Sequence, residues 1–327
     1  MIKLGIIGAG DIAKVMSKTV RMMNESGNQK VELYGVASRS LEKANIFAEE
    51  NGILKAYGSY EQLMEDPEVG LIYIAVPHSH HYETAKHCLE HGKSVLVEKA
   101  FTVNAKQAEE LIALARQKHL LITEAIWTRY QPMRQIINET ISSGIVGEPK
   151  MLAANLGKPI AEKDRIRLPE LAGGVLLDMG VYPINFAEMI FGRATGVTAS
   201  CSKNKYGVDM NDAYTLTFAD GKIAVLHSSV EAVLDSDGVI YCTEGFIRVR
   251  NVNNPEALFV YNKNSQLIKT VEAPAQLTGY EYEVDETADA IAGGLTECAS
   301  MPHEETLHVM RLMDEIRRQL EITYPFE

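Results

Sequence analysis

The sequence predicts an α/β protein in two parts: an N-terminal doubly wound parallel sheet, then a C-terminal α+β domain built on a large, mostly antiparallel open sheet. Three observations carry this. Over the first third, short apolar runs alternate with helix-period segments, the pattern of a parallel sheet covered by crossover helices. After about Glu124 the alternation stops and a block of β-rich runs separated by turn signals takes over. The length, 327 residues, is about that of two ordinary domains. The expected division is 1–123 and 124–327.

In the first part the expected strands are Ile2 to Ile7, Val31 to Ala37, Leu71 to Val76, Ser94 to Val97 and Leu120 to Thr123. Each is mostly apolar, as a strand buried on both faces must be. Between them, Ser40 to Asn51, Ser79 to His91 and Asn104 to Lys118 open on a Ser or Asn able to cap helix N–H groups and then repeat apolar residues at helical spacing. In the second part, strands are expected at Thr195 to Ser202, Ala213 to Phe218, Ile223 to Val230, Gly245 to Val252 and Leu258 to Tyr261, with a hairpin turn at Asp220-Gly221. Two closing helices follow, Tyr280 to Ala292 and His303 to Leu320, the second with a packing stripe through Leu307, Met310, Met313 and Ile316.

Composition narrows the function classes. With 46% hydrophobic and 23% charged residues the chain has the make-up of a folded globular protein. Its net charge of −12 repels phosphate backbones and anionic membranes, so neither nucleic acid nor membrane is an expected partner. No apolar stretch is expected to span a bilayer. Cys88, Cys201, Cys242 and Cys298 are dispersed, without metal-ligand spacing, so reduced thiols, a cytoplasmic location and no metal are expected.

Gly8-Ala9-Gly10-Asp11-Ile12-Ala13 joins the first strand to a helix, the setting of the dinucleotide-binding GxGxxG fingerprint of a Rossmann domain. Gly8 allows the tight turn, Gly10 leaves room for a pyrophosphate, and Ala13 stands for the third glycine. The N–H groups at Asp11 and Ile12 then meet the phosphates at the positive end of the helix dipole. The second strand ends in Ser38-Arg39-Ser40, without the carboxylate an NAD site places there; Arg39 between two hydroxyls suits a 2′-phosphate. NADP(H) is therefore the expected cofactor, with NAD the alternative. Pro77, His78 and His81 lie on a loop after a strand, on the rim where such sheets bind ligands, and are assigned to the cofactor rather than to a metal.

A later strand delivers Glu98 and Lys99 at its carboxyl end, near where a nicotinamide would lie, and both are expected to contact the cofactor. An ammonium there can stabilise an alkoxide and lower the pKa of a neighbouring acid. Further on, Asp178 and Tyr182 stand four residues apart in an apolar segment opening with Gly173-Gly174, so helical geometry puts both on one face. Lys99 would serve as their partner, with Tyr182 as general acid/base and Asp178 orienting the substrate or the lysine. A capping Asp178 and a packed Tyr182 would fit the same residues. Pro183 predicts a late or kinked helix start.

Together, Gly8 to Ala13, Glu98-Lys99 and Gly173-Gly174 through Asp178 and Tyr182 resemble the glucose-fructose oxidoreductase/inositol dehydrogenase/MocA family over nearly the whole chain. Glu124 to Pro132 and Asp178 to Pro183 resemble the branch containing dimeric dihydrodiol dehydrogenase and NADP-dependent D-xylose dehydrogenase. The resemblance implies a catalytic Lys99, an acidic Asp178 and a proton-transferring Tyr182. It also implies a substrate pocket lined by Trp127 and Arg129, for which Tyr280 is a further candidate. The implied activity moves a hydride between nicotinamide and a secondary alcohol or carbonyl of a sugar, polyol, dihydrodiol or related small molecule. The alternatives are a lyase or glycosidase with a retained nucleotide, or an inactive NADP-binding regulator. Where the family usually has proline after its lysine this chain has Ala100, so a trans peptide is expected. A large sheet covered by helices on one face leaves the other open, and a homodimer through it is expected.

Overall fold

A computed structural model describes residues 1–327. They group into two compact units, Met1–Tyr130 with Gln276–Leu307, and Gln131–Ala275 with His308–Glu327.

The first unit holds a six-stranded parallel sheet of β1 (Ile2–Ile7), β2 (Val31–Ala37), β3 (Lys55–Tyr57), β4 (Leu71–Ile74), β5 (Ser94–Glu98) and β6 (Ile122–Ala125). Its order, β3-β2-β1-β4-β5-β6, is that of a dinucleotide-binding sheet, reversing direction between β1 and β4. The helices are α1 (Asp11–Glu25), α2 (Leu41–Asn51), α3 (Tyr60–Glu65), α4 (His81–Glu90) and α5 (Ala105–Lys118). Two expected caps form: Ser40 accepts from the Lys43 N–H and Asn104 from the Gln107 N–H. Ser79 does not cap, because a 3₁₀ turn, His78–His80, precedes α4.

A single cut after residue 123 does not describe the chain's path. The returning helix α9 (Glu281–Ala292) buries Val284 and Ala288 in the same core as Val31, Leu33 and Tyr73. Polar contacts fasten it there. Thr278 bonds Thr19 at 2.7 Å, Asn28 donates to Asp285 at 2.8 Å, and Lys30 pairs with Asp289 at 2.8 Å. Burying an apolar stripe outweighs sequence distance in deciding which core a helix joins.

In the second unit α6 (Pro132–Ser142) leads into an eight-stranded sheet of order β14-β13-β12-β11-β7-β10-β9-β8. Its strands are β7 (Pro149–Gly157), β8 (Ala194–Lys203), β9 (Asp209–Phe218), β10 (Ile223–Ser229), β11 (Gly238–Cys242), β12 (Gly245–Arg250), β13 (Ala257–Asn262) and β14 (Leu267–Glu272). All neighbours pair antiparallel except β7 with β10. Asp220-Gly221 turns β9 into β10 as expected, with Gly221 at φ +82°. After β7 come a short helix, α7 (Asp164–Arg167), and then α8 (Val181–Phe191), which packs on β7 and β10. The last helix, α10 (His303–Leu320), is divided between the units at Leu307 and His308.

Contrary to the expectation from sequence, Pro169–Phe191 is long and apolar enough to cross a membrane by length and composition; 83% of its apolar window is buried inside the protein. A largely apolar segment buried to this extent is what a domain interior requires.

Candidate active site

The nucleotide cradle is built as its motif predicts. Gly8 has φ +109°, and a Cβ there would stand 2.3 Å from the Ala75 carbonyl oxygen, so only glycine lets β1 turn so close to the end of β4. A Cβ on Gly10 would meet nothing within 4 Å, leaving open space at the start of α1. That helix has no side-chain cap, so its first N–H groups, at Asp11, Ile12 and Ala13, lack intrahelical and capping partners. Open space above uncapped amides fits a pyrophosphate. Arg39 is exposed at the end of β2, and it helps burial lower the pKa of His80, which places the two as neighbours. The Ser40 oxygen accepts the α2 cap bond from the Lys43 N–H, and its O–H remains able to donate to a phosphate.

Pro77 and His78 stand on the rim after β4, with His78 buried and edge-on to His81 at 5.6 Å. His81 itself faces inward. Its Nδ1 lies 2.8 Å from the Ala100 carbonyl and its Nε2 2.9 Å from that of Val76. Burial lowers its pKa to about 4, so the neutral ring donates to one of the two and braces the ends of β4 and β5. The sequence places this histidine at the cofactor; in the structure it is buried with both ring nitrogens facing backbone carbonyls.

At the end of β5, Glu98 is buried, accepts a hydrogen bond from the Tyr73 hydroxyl, and receives the Lys99 N–H at 3.2 Å. The Lys99–Ala100 peptide bond is cis, against the trans bond expected of an alanine. Flanking groups hold the segment: His81 at the Ala100 carbonyl, and the Phe101 N–H donating to Glu124 Oε1 at 3.1 Å. The Lys99 side chain is part-exposed.

Sequence reasoning missed two acids here. Glu124 is buried at the end of β6, and burial raises its pKa to about 7. Glu283, fully buried on α9, is pushed well above the carboxylate range, by burial first and by Glu98 second. An acidic residue inside an apolar run was the available signal for Glu124; nothing local marks Glu283.

Trp127 is buried and stacks on Tyr280, ring centroids 4.0 Å apart and 17° from parallel, so two of the expected pocket residues do meet. Arg129 is turned inward. Its side chain is 1% exposed and Nη1 lies 3.4 Å from Glu305 Oε2, so the guanidinium is paired with a protein carboxylate in the interior.

Asp178 and Tyr182 belong to the second unit. A π-helical turn, Leu176–Gly180, runs directly into α8, and this wide turn is how the chain accommodates Pro183 near the start of α8. Both side chains are buried. Asp178 Oδ1 accepts from Arg165 Nη1 at 2.5 Å; the sequence reading supplied only Lys99 as its partner.

Residues 2–125 match the oxidoreductase family with NAD-binding Rossmann fold designated GFO/IDH/MocA, and residues 134–248 match the GFO/IDH/MocA C-terminal domain. The chain belongs to this family. Among curated proteins, trans-1,2-dihydrobenzene-1,2-diol dehydrogenase of Xenopus tropicalis is 34% identical, with 99% of both chains covered. D-xylose 1-dehydrogenase (NADP(+)) of Hypocrea jecorina is 33% identical over 99% of this chain and 93% of its own. Among solved structures, a 3-ketoreductase from Actinomadura kijaniata in complex with NADP and TDP-benzene superposes with a TM-score of 0.86 at 25% identity, covering 97% of each chain. These agree with the branch read from the sequence. The protein is a nicotinamide-nucleotide-dependent oxidoreductase acting on CH–OH groups.

Proposed function

We propose that the protein is an NADP(H)-dependent dehydrogenase or reductase of a sugar, dihydrodiol or similar polyhydroxylated small molecule. The observation that carries the cofactor preference is the end of β2, where an exposed Arg39 stands between Ser38 and Ser40 and no carboxylate is present to meet a ribose 2′-hydroxyl. The chemistry of relatives named for NADP and for dihydrodiols and xylose supports the same reading.

Gly8, Gly10 and the first amides of α1 would hold the pyrophosphate, and Arg39 with Ser38 the 2′-phosphate. A bound nicotinamide would supply the hydride chemistry, taking hydride in the oxidative direction and giving it in the other. Tyr182 takes the hydroxyl proton as the carbonyl forms. Lys99 would supply positive charge that favours an alkoxide on the substrate. Asp178, held by Arg165, orients the reacting hydroxyl, while stacked Trp127 and Tyr280 supply an apolar wall. Four free cysteines suit the reducing cytoplasm in which this reading places the protein.

The second unit's sheet supports a homodimer. Across six adjacent strands Ile223, Met151, Tyr241, Phe246, Tyr261 and Leu267 stand opposite one another in register, so they share a face. None of the six is buried, and Ile223, Met151, Tyr241 and Leu267 are at least 36% exposed. A continuous apolar row is suited to a second copy of itself.

A spectrophotometric screen of aldoses, inositols and dihydrodiols with both nucleotides tests the proposal. Turnover with kcat/KM higher for NADP+ than for NAD+ is expected; a ratio below one overturns the cofactor assignment.

A further inference from the structure

The Gly173-Gly174 pair, and the π turn after it, pack against a feature the mechanism does not use: two buried acids on β9. Asp209 and Asp212 are 0% and 4% exposed. Asp209 Oδ2 accepts the Leu176 N–H at 2.7 Å, the first residue of the π turn. Gly174 has φ +120°, and a Cβ there would lie 2.1 Å from Asp209 Oδ1, so glycine is what lets the chain close over the carboxylate. Tyr214 donates to Asp212 Oδ2 at 2.7 Å, and a Cβ on Gly180 would lie 2.5 Å from that same hydroxyl oxygen. Both ends of the turn thus rest on one cluster. From the C-terminal tail, Tyr324 adds a bond to the Gly173 carbonyl at 3.0 Å.

The remaining oxygens, Asp209 Oδ1 and Asp212 Oδ1, are buried without a hydrogen-bond partner, and each carboxyl perturbs the other's ionisation, which makes the two close neighbours. Two buried carboxyls side by side resist double ionisation, and one proton held between them would give both orphaned oxygens a partner.

We propose that Asp209 and Asp212 share one proton and act as a positioning pair, fixing the π turn so that Asp178 and Tyr182 are presented in their working orientation. Burial first, and the neighbouring Asp209 second, push the Asp212 carboxyl well above the usual carboxylate range, which favours a proton retained on the pair. Either both acids ionised or one removed would leave a buried carboxylate without its donor and loosen the Leu176 anchor. The inference rests on the reading of Tyr182 as the proton-transfer residue.

The test compares Asp212→Asn with Asp212→Ala. Asparagine keeps an acceptor for Tyr214 and an N–H donor for Asp209; alanine keeps neither. Asp212→Asn should hold kcat within about threefold and keep the Leu176 amide protected from hydrogen exchange. Asp212→Ala should lower kcat about tenfold or more and speed that exchange, while NADP+ affinity, measured by fluorescence titration, stays unchanged. Infrared spectra provide a readout that survives poor folding of the alanine variant: wild type minus Asp212→Asn at pH 7 should contain a protonated-carboxyl band. Absence of that band, wild-type kcat and exchange in Asp212→Ala, or equal losses in both variants would each overturn the proposal. Tyr182→Phe is assayed alongside. If it retains full turnover the reading of Tyr182 fails by itself, and the band and the Leu176 exchange still decide whether the pair shares a proton.

Discussion

Arg165 donates to Asp178 at 2.5 Å, joining a half-exposed guanidinium on α7 to a carboxylate buried in the turn before α8. The pair gives Asp178 a fixed direction and a charge partner from its own unit. Replacing Arg165 by Met should lower kcat/KM for the alcohol substrate about tenfold, the scale of one lost charge-assisted hydrogen bond. Arg165→Lys should recover part of the loss. Unchanged steady-state kinetics in Arg165→Met would remove the orienting role.

Lys99 and Tyr182 are proposed to act in the chemical step. Lys99→Met and Tyr182→Phe should therefore each lower kcat by ~10²-fold or more, with the Kd for NADP+ retained. Single-turnover absorbance at the reduced-nicotinamide wavelength separates the two effects, and near-wild-type turnover in both variants would refute the mechanism.

Much of this was legible in the sequence, and the parts that were not share a physical cause. Five of the six parallel strands could be read because burial on both faces leaves near-continuous apolar runs, whereas the three-residue edge strand β3 has no buried residue to mark it; the glycine fingerprint could be read because backbone crowding at Gly8 tolerates nothing larger. The central strand β7 was missed. Its Lys-Met-Leu-Ala-Ala-Asn-Leu stretch has no β-branched residue, since the inward alanine at 154 lies where α8 packs. The placement of α9 was missed because a helical stripe specifies that a face is buried and not against which core. Of the residues proposed to act on substrate, Lys99, Asp178 and Tyr182 stand out in the sequence as polar residues in apolar settings. Arg165, Glu283 and the Asp209–Asp212 pair did not, because their significance comes from neighbours distant in the chain.

Arg39 is the one cation in the Ser38-Arg39-Ser40 segment, and its side chain is exposed at the end of β2. Arg39→Ala should lower kcat/KM for NADP+ at least about tenfold and leave that for NAD+ within about threefold, because only the phosphorylated ribose offers the guanidinium an anion. Equal losses with both nucleotides would place Arg39 elsewhere in the binding site.

The apolar row on the open face of the sheet predicts a solution dimer at micromolar concentration. Met151→Glu combined with Tyr241→Glu puts two carboxylates at directly opposed positions in the middle of the row. Buried together at an interface they would lack partners, and the charge would repel its copy. Sedimentation velocity should show a dimer for wild type and a monomer for the double variant. A wild-type monomer would rule out the interface.

Glu124 makes the pH dependence of stability a test of the interior around β5 and β6. Burial raises its pKa from the usual 4.5 to about 7, against the pull of the Phe101 N–H and Arg129. The folded protein therefore holds this proton more tightly than the unfolded chain. Stability from this group is full below about pH 4.5, falls as pH rises towards about 7, and is level above, where both states are ionised. Glu124→Gln stays neutral throughout and keeps an oxygen for the Phe101 N–H. Between pH 4.5 and 7 the wild type should lose a few degrees more of Tm than the glutamine variant, on the order expected for one buried acid in a chain of this size. Glu283, a second buried acid, tilts both curves the same way, so it is the difference between them that reads Glu124. Parallel Tm curves across that window would mean that Glu124 ionises in the fold as readily as in the unfolded chain, and that the β6 end is open to water.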